Sequence, residues 1–100
     1  MPAECGHNGH MYYLVLSEAV DRGALLKSMA ANSVNSVSHY VPLHTSPAGL
    51  LHGRSHGVLT NTDSISERLI RLPLWIGITV EQQRRVLDSV VEGLKIQKLL

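Results

Sequence analysis

His39, Tyr40 and His44 stand where an apolar stretch gives way to an irregular one, the usual place for binding groups. Their imidazole and phenol groups suit hydrogen bonding to a polar ligand; the alternative is that they only order the loop, with Pro42 and Leu43 packing beneath. His44, His52 and His56 follow the spacing H-x7-H-x3-H, which matches no standard zinc pattern. No cysteine and no acidic residue accompanies them before Asp63, so no metal site is expected. Arg54, Arg68 and Arg71 have the forked donors that hold a phosphate or carboxylate. Arg68 and Arg71 sit three apart at a helix-to-strand junction, where they are equally suited to a structural ion pair with Glu67 or with another domain. Cys5 lies in a Gly- and Asn-containing lead-in with nothing nearby to lower its pKa, which argues against a nucleophile.

The elements that must position these groups are short. Residues 1–10 read as a disordered lead-in, and residues 11–95 as one domain. MYYLVL (11–16) is apolar on both faces and predicts a central, doubly covered strand. Asp21 is an N-cap for a helix of about ten residues that carries Ala24, Leu25, Leu26, Met29 and Ala30 on one face and Arg22 and Lys27 towards solvent. Val34, Val37 and Tyr40 suggest a second short strand, stopped by Pro42. Residues 41–61 show no periodicity; such a loop inside a compact domain is either functional or mobile. Ser64 with Glu67 reads as a capping box opening a helix to about Ile70, and LPLWI (72–76) as a third strand with Pro73 at an edge or at its first paired position. Thr79 with Gln82 is another capping box, and Val86, Leu87, Val90, Val91 and Leu94 form the clearest amphipathic stripe. On the opposite face Arg84 and Asp88 can pair. Gly93 weakens the end of that helix, and KIQKLL reads as a frayed tail. The order β-α-β-loop-α-β-α predicts a small α/β (α+β) two-layer sandwich of about three short strands.

Composition sets the outer limits. One hundred residues make one domain, and a chain of this size buries roughly 60–70% of its unfolded surface. It has 44% hydrophobic residues but no Phe and one Trp, so the core must be aliphatic. A net charge of +1 without Lys or Arg clusters argues against nucleic acid as a partner. The single cysteine permits no intrachain disulfide, and the N-terminus has neither a basic leader nor an apolar run long enough for a signal or a membrane span; no membrane partner and a cytoplasmic setting are expected.

Three segments in order, HMYYLVL (10–16), HYVPLHTSPAG (39–49) and SERLIRLPLWIGIT (66–79), followed by a QQRRVLDSV helix, resemble the C-terminal region of the DegT/DnrJ/EryC1/StrS sugar aminotransferases along roughly residues 8–94. The strongest signal is HY-x-PLH followed by SERL-x-RLPL, and within the family the likeness leans towards the transaminases that make dTDP-4-amino-4,6-dideoxygalactose. The resemblance implies a fold-type I enzyme with pyridoxal phosphate, working as a homodimer. It would move an amino group, usually from glutamate, onto a keto-deoxyhexose carried by a nucleotide, as in the making of lipopolysaccharide or O-antigen sugars. It also implies that the turn with His39, Tyr40 and His44 approaches the sugar-nucleotide pocket, and that a large domain supplies the aldimine lysine, the aspartate facing the pyridinium nitrogen and the phosphate loop.

Here the resemblance meets a gap. Pyridoxal chemistry needs a lysine held near neutral form in a sheltered pocket. The only lysines are Lys27, on the polar side of a predicted helix, and Lys95 and Lys98 in the tail. No segment resembles the family's lysine motif or its phosphate cradle, and a first strand starting by residue 11 leaves no room for a cofactor lobe. The expectation is a domain fragment that binds no cofactor and catalyses nothing alone, with the missing large domain as its partner. The alternative is a freestanding binding or dimerisation module descended from such a domain. The fragment should leave apolar surface around Leu74, Trp75 and both faces of the first strand, which the missing parts would cover, and so tend to self-associate.

Overall fold

The computed structural model describes residues 3–100. Residues 3–10 form no helix or strand, and the first two residues of the lead-in lie outside the described residues. The elements are β1 (Tyr12–Val15), α1 (Arg22–Ala31), β2 (Val37–Ser38), α2 (Pro47–His52), α3 (Thr60–Arg68), β3 (Leu69–Leu72) and α4 (Val80–Ile96). The three strands make one antiparallel sheet in the order β1-β3-β2, with Leu14 opposite Ile70 and Val37 opposite Arg71. Helices α1 and α4 pack together over one face of it, giving the expected two-layer α/β arrangement.

Strand order corrects two expectations. β1 is an edge strand, not a central one, and the central strand is β3. The third strand lies earlier than expected, at Leu69–Leu72, because Ile70 and Leu72 must both reach the core; Pro73 ends it, having no N–H to extend the ladder. The second strand shrinks to two residues, and Val34 serves the core from the turn before it.

The core is a single layer between sheet and helices: Leu16 from the end of β1, Ile70 and Leu72 from β3, Leu25 and Met29 from α1, Val34, and Val86 and Val90 from α4. Of the stripe on α4, Leu87 and Val91 remain exposed, since the other helix covers only the Val86–Val90 side. Gly93 is no weak end. It is buried inside α4 at the closest approach to α1, where a Cβ would lie 2.5 Å from Leu25 Cδ1.

Local chemistry sets the helix ends. Asp21 Oδ1 accepts from the Ala24 N–H at 2.9 Å, as expected for an N-cap. Thr79 and Gln82 close a reciprocal capping box. Helix α1 stops where Ser33 turns left-handed (φ 59°): Ser33 N–H donates to Ala30 C=O and Val34 N–H to Met29 C=O, both at 2.9 Å. This is the Schellman arrangement, and its apolar pair, Met29 and Val34, belongs to the core. The end of α4 repeats the device at Lys98 (φ 59°), with Leu99 N–H donating to Leu94 C=O. The Gln97 side chain then grips Asp21, accepting from its N–H at 2.9 Å and donating to its C=O at 3.0 Å. The tail is docked rather than frayed, because the polar ends of α1 and α4 satisfy each other.

The Ser64–Glu67 capping box does not form. Helix α3 starts at Thr60 after Leu59, without a side-chain cap, and Ser64 falls in its interior. Arg84 and Asp88 do not reach ion-pair distance; among the described residues no Lys or Arg does so with a carboxylate, and the one contact of that length is the His44–Asp63 hydrogen bond. Among the described residues no helix is long and apolar enough to cross a membrane.

Three substitutions test this packing. Gly93→Val should lower stability by about 1–3 kcal/mol, since Leu25 is fully buried and has nowhere to retreat. Gly93→Ala should cost less, as the gain in helix propensity offsets up to about 1 kcal/mol. Ser33→Gly should raise stability by about 1 kcal/mol by relieving the left-handed turn. Urea unfolding midpoints followed by circular dichroism would check all three.

Candidate ligand-facing turn

Residues 41–61, read as irregular, contain the six-residue helix α2. A tight turn leads into it. Thr45 and Ser46 N–H donate to Pro42 C=O at 3.1 and 3.0 Å, and Ser46 Oγ both donates to Leu43 C=O and accepts from Gly49 N–H. Ser46 is the N-cap and Pro47 the first helical residue, the pairing that helix starts favour. Gly49 is required: a Cβ there would sit 1.5 Å from the Leu43 carbonyl oxygen. The turn holds His44 inward and Leu43 out. Leu43 is 82% exposed, so it does not pack beneath the turn as the loop-ordering alternative would have it.

His44 Nε2 donates to Asp63 Oδ1 at 2.8 Å, with the His44 side chain 15% exposed and Asp63 39%. Asp63 lies in the first turn of α3, where a carboxylate also suits the helix dipole. With its proton on Nε2, a neutral His44 ring keeps Nδ1 as an acceptor for a ligand hydroxyl. The pair stands between two cavities. On one side, a shallow cavity of about 320 Å³ is bordered by His39, Tyr40, Asp63 and Glu67. On the other, a cavity of about 620 Å³ is bordered by His44, Arg54, His56 and apolar Leu43, Leu50 and Leu59. His39 and Tyr40 are exposed and meet edge to face, ring centroids 4.9 Å apart. The structure thus gathers His39, Tyr40 and His44 at one end of the sheet, on opposite sides of one carboxylate.

The arginines separate. Arg68 bridges α3 and β1: Nη1 donates to Leu16 C=O at 3.0 Å, Nε to Ser64 C=O at 3.1 Å and Nη2 to Ser64 Oγ at 3.0 Å. Neither Arg68 nor Arg71 pairs with Glu67, because the guanidinium of Arg68 is taken up by backbone oxygen and Ser64. Arg71 lies in register with Tyr13 and Val37, across β3 from the core-facing Ile70. Arg22 reaches Ser66 C=O and ties α1 to α3. Among the described residues no group of three His, Cys, Asp or Glu side chains could hold a metal ion. Cys5 is exposed and free. Sequence reasoning missed Asp63, Arg22 and Gln97, whose partners lie far along the chain; only the acidic residue in a first helical turn left a local trace of Asp63.

Pyridoxal phosphate does not fit the amines of this chain. Lys27, Lys95 and Lys98 are all exposed, and none borders either cavity.

The architecture is that of an aminotransferase domain. It superimposes on the crystal structure of the aminotransferase TlmJ from Streptoalloteichus hindustanus with a TM-score of 0.73 at 23% identity, a likeness that speaks for the fold. The match covers 88% of this chain and 23% of that one, so the chain spans under a quarter of its structural relative. Residues 1–91 match the DegT/DnrJ/EryC1/StrS aminotransferase family, and the chain belongs to that family.

Arg68 offers a direct test of what holds this region. Arg68→Ala should cost about 2 kcal/mol through the lost charged hydrogen bonds. Arg68→Lys should recover less than half of that, because one ammonium cannot reach Leu16 and Ser64 as a fork does. Urea denaturation of the two variants against the parent chain reads both effects.

Proposed function

We propose that residues 11–95 are the C-terminal small domain of a pyridoxal-phosphate-dependent sugar-nucleotide aminotransferase, and that this chain performs no amino transfer by itself. The observation that carries the proposal is the family match over residues 1–91, on a fold that fills under a quarter of a related aminotransferase. The intact enzyme would take its amino group from glutamate and pass it to a keto-deoxyhexose on a nucleotide, in the manner of the dTDP-4-amino-4,6-dideoxygalactose transaminases. It would act as a cytoplasmic homodimer, with a large domain as the partner of this one. Pyridoxal phosphate, when bound in that partner domain, would supply the electron sink for moving the amino group.

The residues of this chain would shape and position. His39, Tyr40 and His44 would face the substrate from the end of the sheet. Asp63 holds the His44 ring through Nε2, and Nδ1 would then be the atom left to accept from a sugar hydroxyl. Arg68 keeps α3, and with it Asp63, fixed against β1. None of these groups forms or breaks a covalent bond in this scheme.

The test is chemical. Incubation with pyridoxal phosphate and reduction with borohydride, followed by peptide mass spectrometry, should give no stoichiometric label at Lys27, Lys95 or Lys98. Titration calorimetry with a dTDP-linked hexose should show no saturable heat. One fully labelled lysine would refute the non-catalytic reading; tight sugar-nucleotide binding without label would move the chain to the class of freestanding binding modules.

A further inference from the structure

The cavity of about 620 Å³ beside His44 carries charge of one sign. Arg54, Ser55 and His56 border it in succession, together with Thr62 of α3, and no Asp or Glu does. Asp63 borders the neighbouring cavity instead, one of its oxygens taken by His44 Nε2. Arg54 also differs from the arginines that tie elements together. Arg22, Arg68 and Arg85 each donate to a distant backbone carbonyl, whereas among the described residues no protein oxygen engages the Arg54 guanidinium. Its donors stay open beside the cavity. The remaining wall is apolar: Leu43, Leu50 and Leu59 border it, and none of them belongs to the core. The volume is that of a pocket for a small molecule.

From this lining we infer that the cavity binds a soluble phosphomonoester carrying a short aliphatic group, its phosphate at Arg54 and its aliphatic group on Leu43, Leu50 and Leu59. The charge is complementary, since a free guanidinium with no competing carboxylate is matched by an anion. A guanidinium alone serves a carboxylate as well as a phosphate. Here the Ser55 and Thr62 hydroxyls and the His56 ring add donors outside the plane of the guanidinium fork. A carboxylate offers its oxygens in one plane, whereas the terminal oxygens of a phosphomonoester point in several directions and can use them. A membrane is the poorer source of such a group, because a net charge of +1 without a Lys or Arg cluster gives little attraction to an anionic surface. Both phosphates of a nucleotide-linked sugar are diesters with fewer free oxygens. The inference is therefore separate from the sugar-nucleotide reading and from its calorimetric test.

The test titrates the hundred-residue chain, labelled with nitrogen-15, with inorganic phosphate, hexyl phosphate and hexanoate while amide NMR shifts are followed. Hexyl phosphate should move the amides around Leu43, Leu50, Arg54 and His56. It should bind about tenfold tighter than inorganic phosphate, the effect of burying about two methylenes, and tighter than hexanoate. Arg54 and Leu50 are both exposed, so neither substitution below should alter the circular dichroism spectrum. Arg54→Met should weaken hexyl phosphate by about tenfold or more through the lost charged hydrogen bonds. Leu50→Ser should weaken hexyl phosphate by about threefold or more and leave inorganic phosphate unchanged. Arg84→Met, on the outer face of α4, should change neither ligand. Vesicles of phosphatidylcholine with phosphatidic acid, which presents the same phosphomonoester on a membrane, should not co-sediment the chain. Four results would each overturn the inference: no shift with hexyl phosphate, shifts centred on the groove between Tyr12 and Leu87, full binding by Arg54→Met, or retention on the vesicles that Arg54→Met removes.

Discussion

One apolar layer, one side chain deep, holds this domain together, and Ile70 is at its centre. Ile70 stands on the middle strand, wholly buried, and faces Leu25 and Met29 of α1 with Val86 and Val90 of α4. The layer forms only because α1 can come close to α4, which the missing side chain of Gly93 allows. Ser33 then turns the chain left-handed so that Val34 closes the layer and β2 can join β3. Since both large helices lie on one side of the sheet, the other side has no helical cover among the described residues. Tyr13, Val15 and Val37 are left half-exposed there as a direct result of how the core is built.

The stretch from Pro42 to Arg68 follows a different rule. Neither α2 nor α3 contributes a buried residue. Their position comes from directional bonds instead: the Ser46 cap, the Gly49 close approach, the His44–Asp63 pair, and the arginines that clasp Leu16 and Ser66. Such a region is specified without being strongly stabilised, because each exposed polar contact contributes little next to buried apolar area. It opens locally at lower free energy than the core does. A turn that must accommodate a ligand or a neighbouring domain benefits from that division, in which core burial sets the scaffold and bonds at the surface set the aim.

Where a feature depends on local chemistry it was legible from sequence. Asp21 and the Thr79–Gln82 box are decided by two or three neighbours, and both occur as expected. The two motif segments around HY-x-PLH and SERL-x-RLPL led to the family and to the layered fold. Features decided between distant elements were not legible. The run RLIRLPLW is apolar nearly throughout, so its pattern cannot place the strand; the need for Ile70 and Leu72 to face two helices does. MYYLVL has a central strand's composition at an edge. Ser64 and Glu67 have the right spacing for a cap, but the helix is already a turn old at that point. Helix α2 was missed although Ser46-Pro47 is a sound start signal, because a six-residue helix shows no period to support it. Asp63 had no visible role until folding brought it to His44.

The cations show how position separates residues of like chemistry. Arg22, Arg68 and Arg85 all donate to backbone carbonyls of other elements, namely Ser66, Leu16 and Asn32. Each is therefore a clasp, and a guanidinium already engaged by protein oxygen has fewer donors left for a ligand. Arg68, which motif and spacing alone leave open as an anion site, is the clearest such case. The three lysines differ in being exposed and engaged by no other element. An ammonium in water stays charged and is a poor nucleophile, whereas amino-group chemistry needs one that is desolvated and held beside its target. Lys27 is exposed on α1, Lys95 and Lys98 are exposed at the end of α4, and none of the three borders the cavities beside His44. The fold thus uses Arg22, Arg68 and Arg85 to hold loops and leaves the lysines exposed, while imidazole, phenol, a carboxylate and the Arg54 guanidinium border the cavities beside the turn.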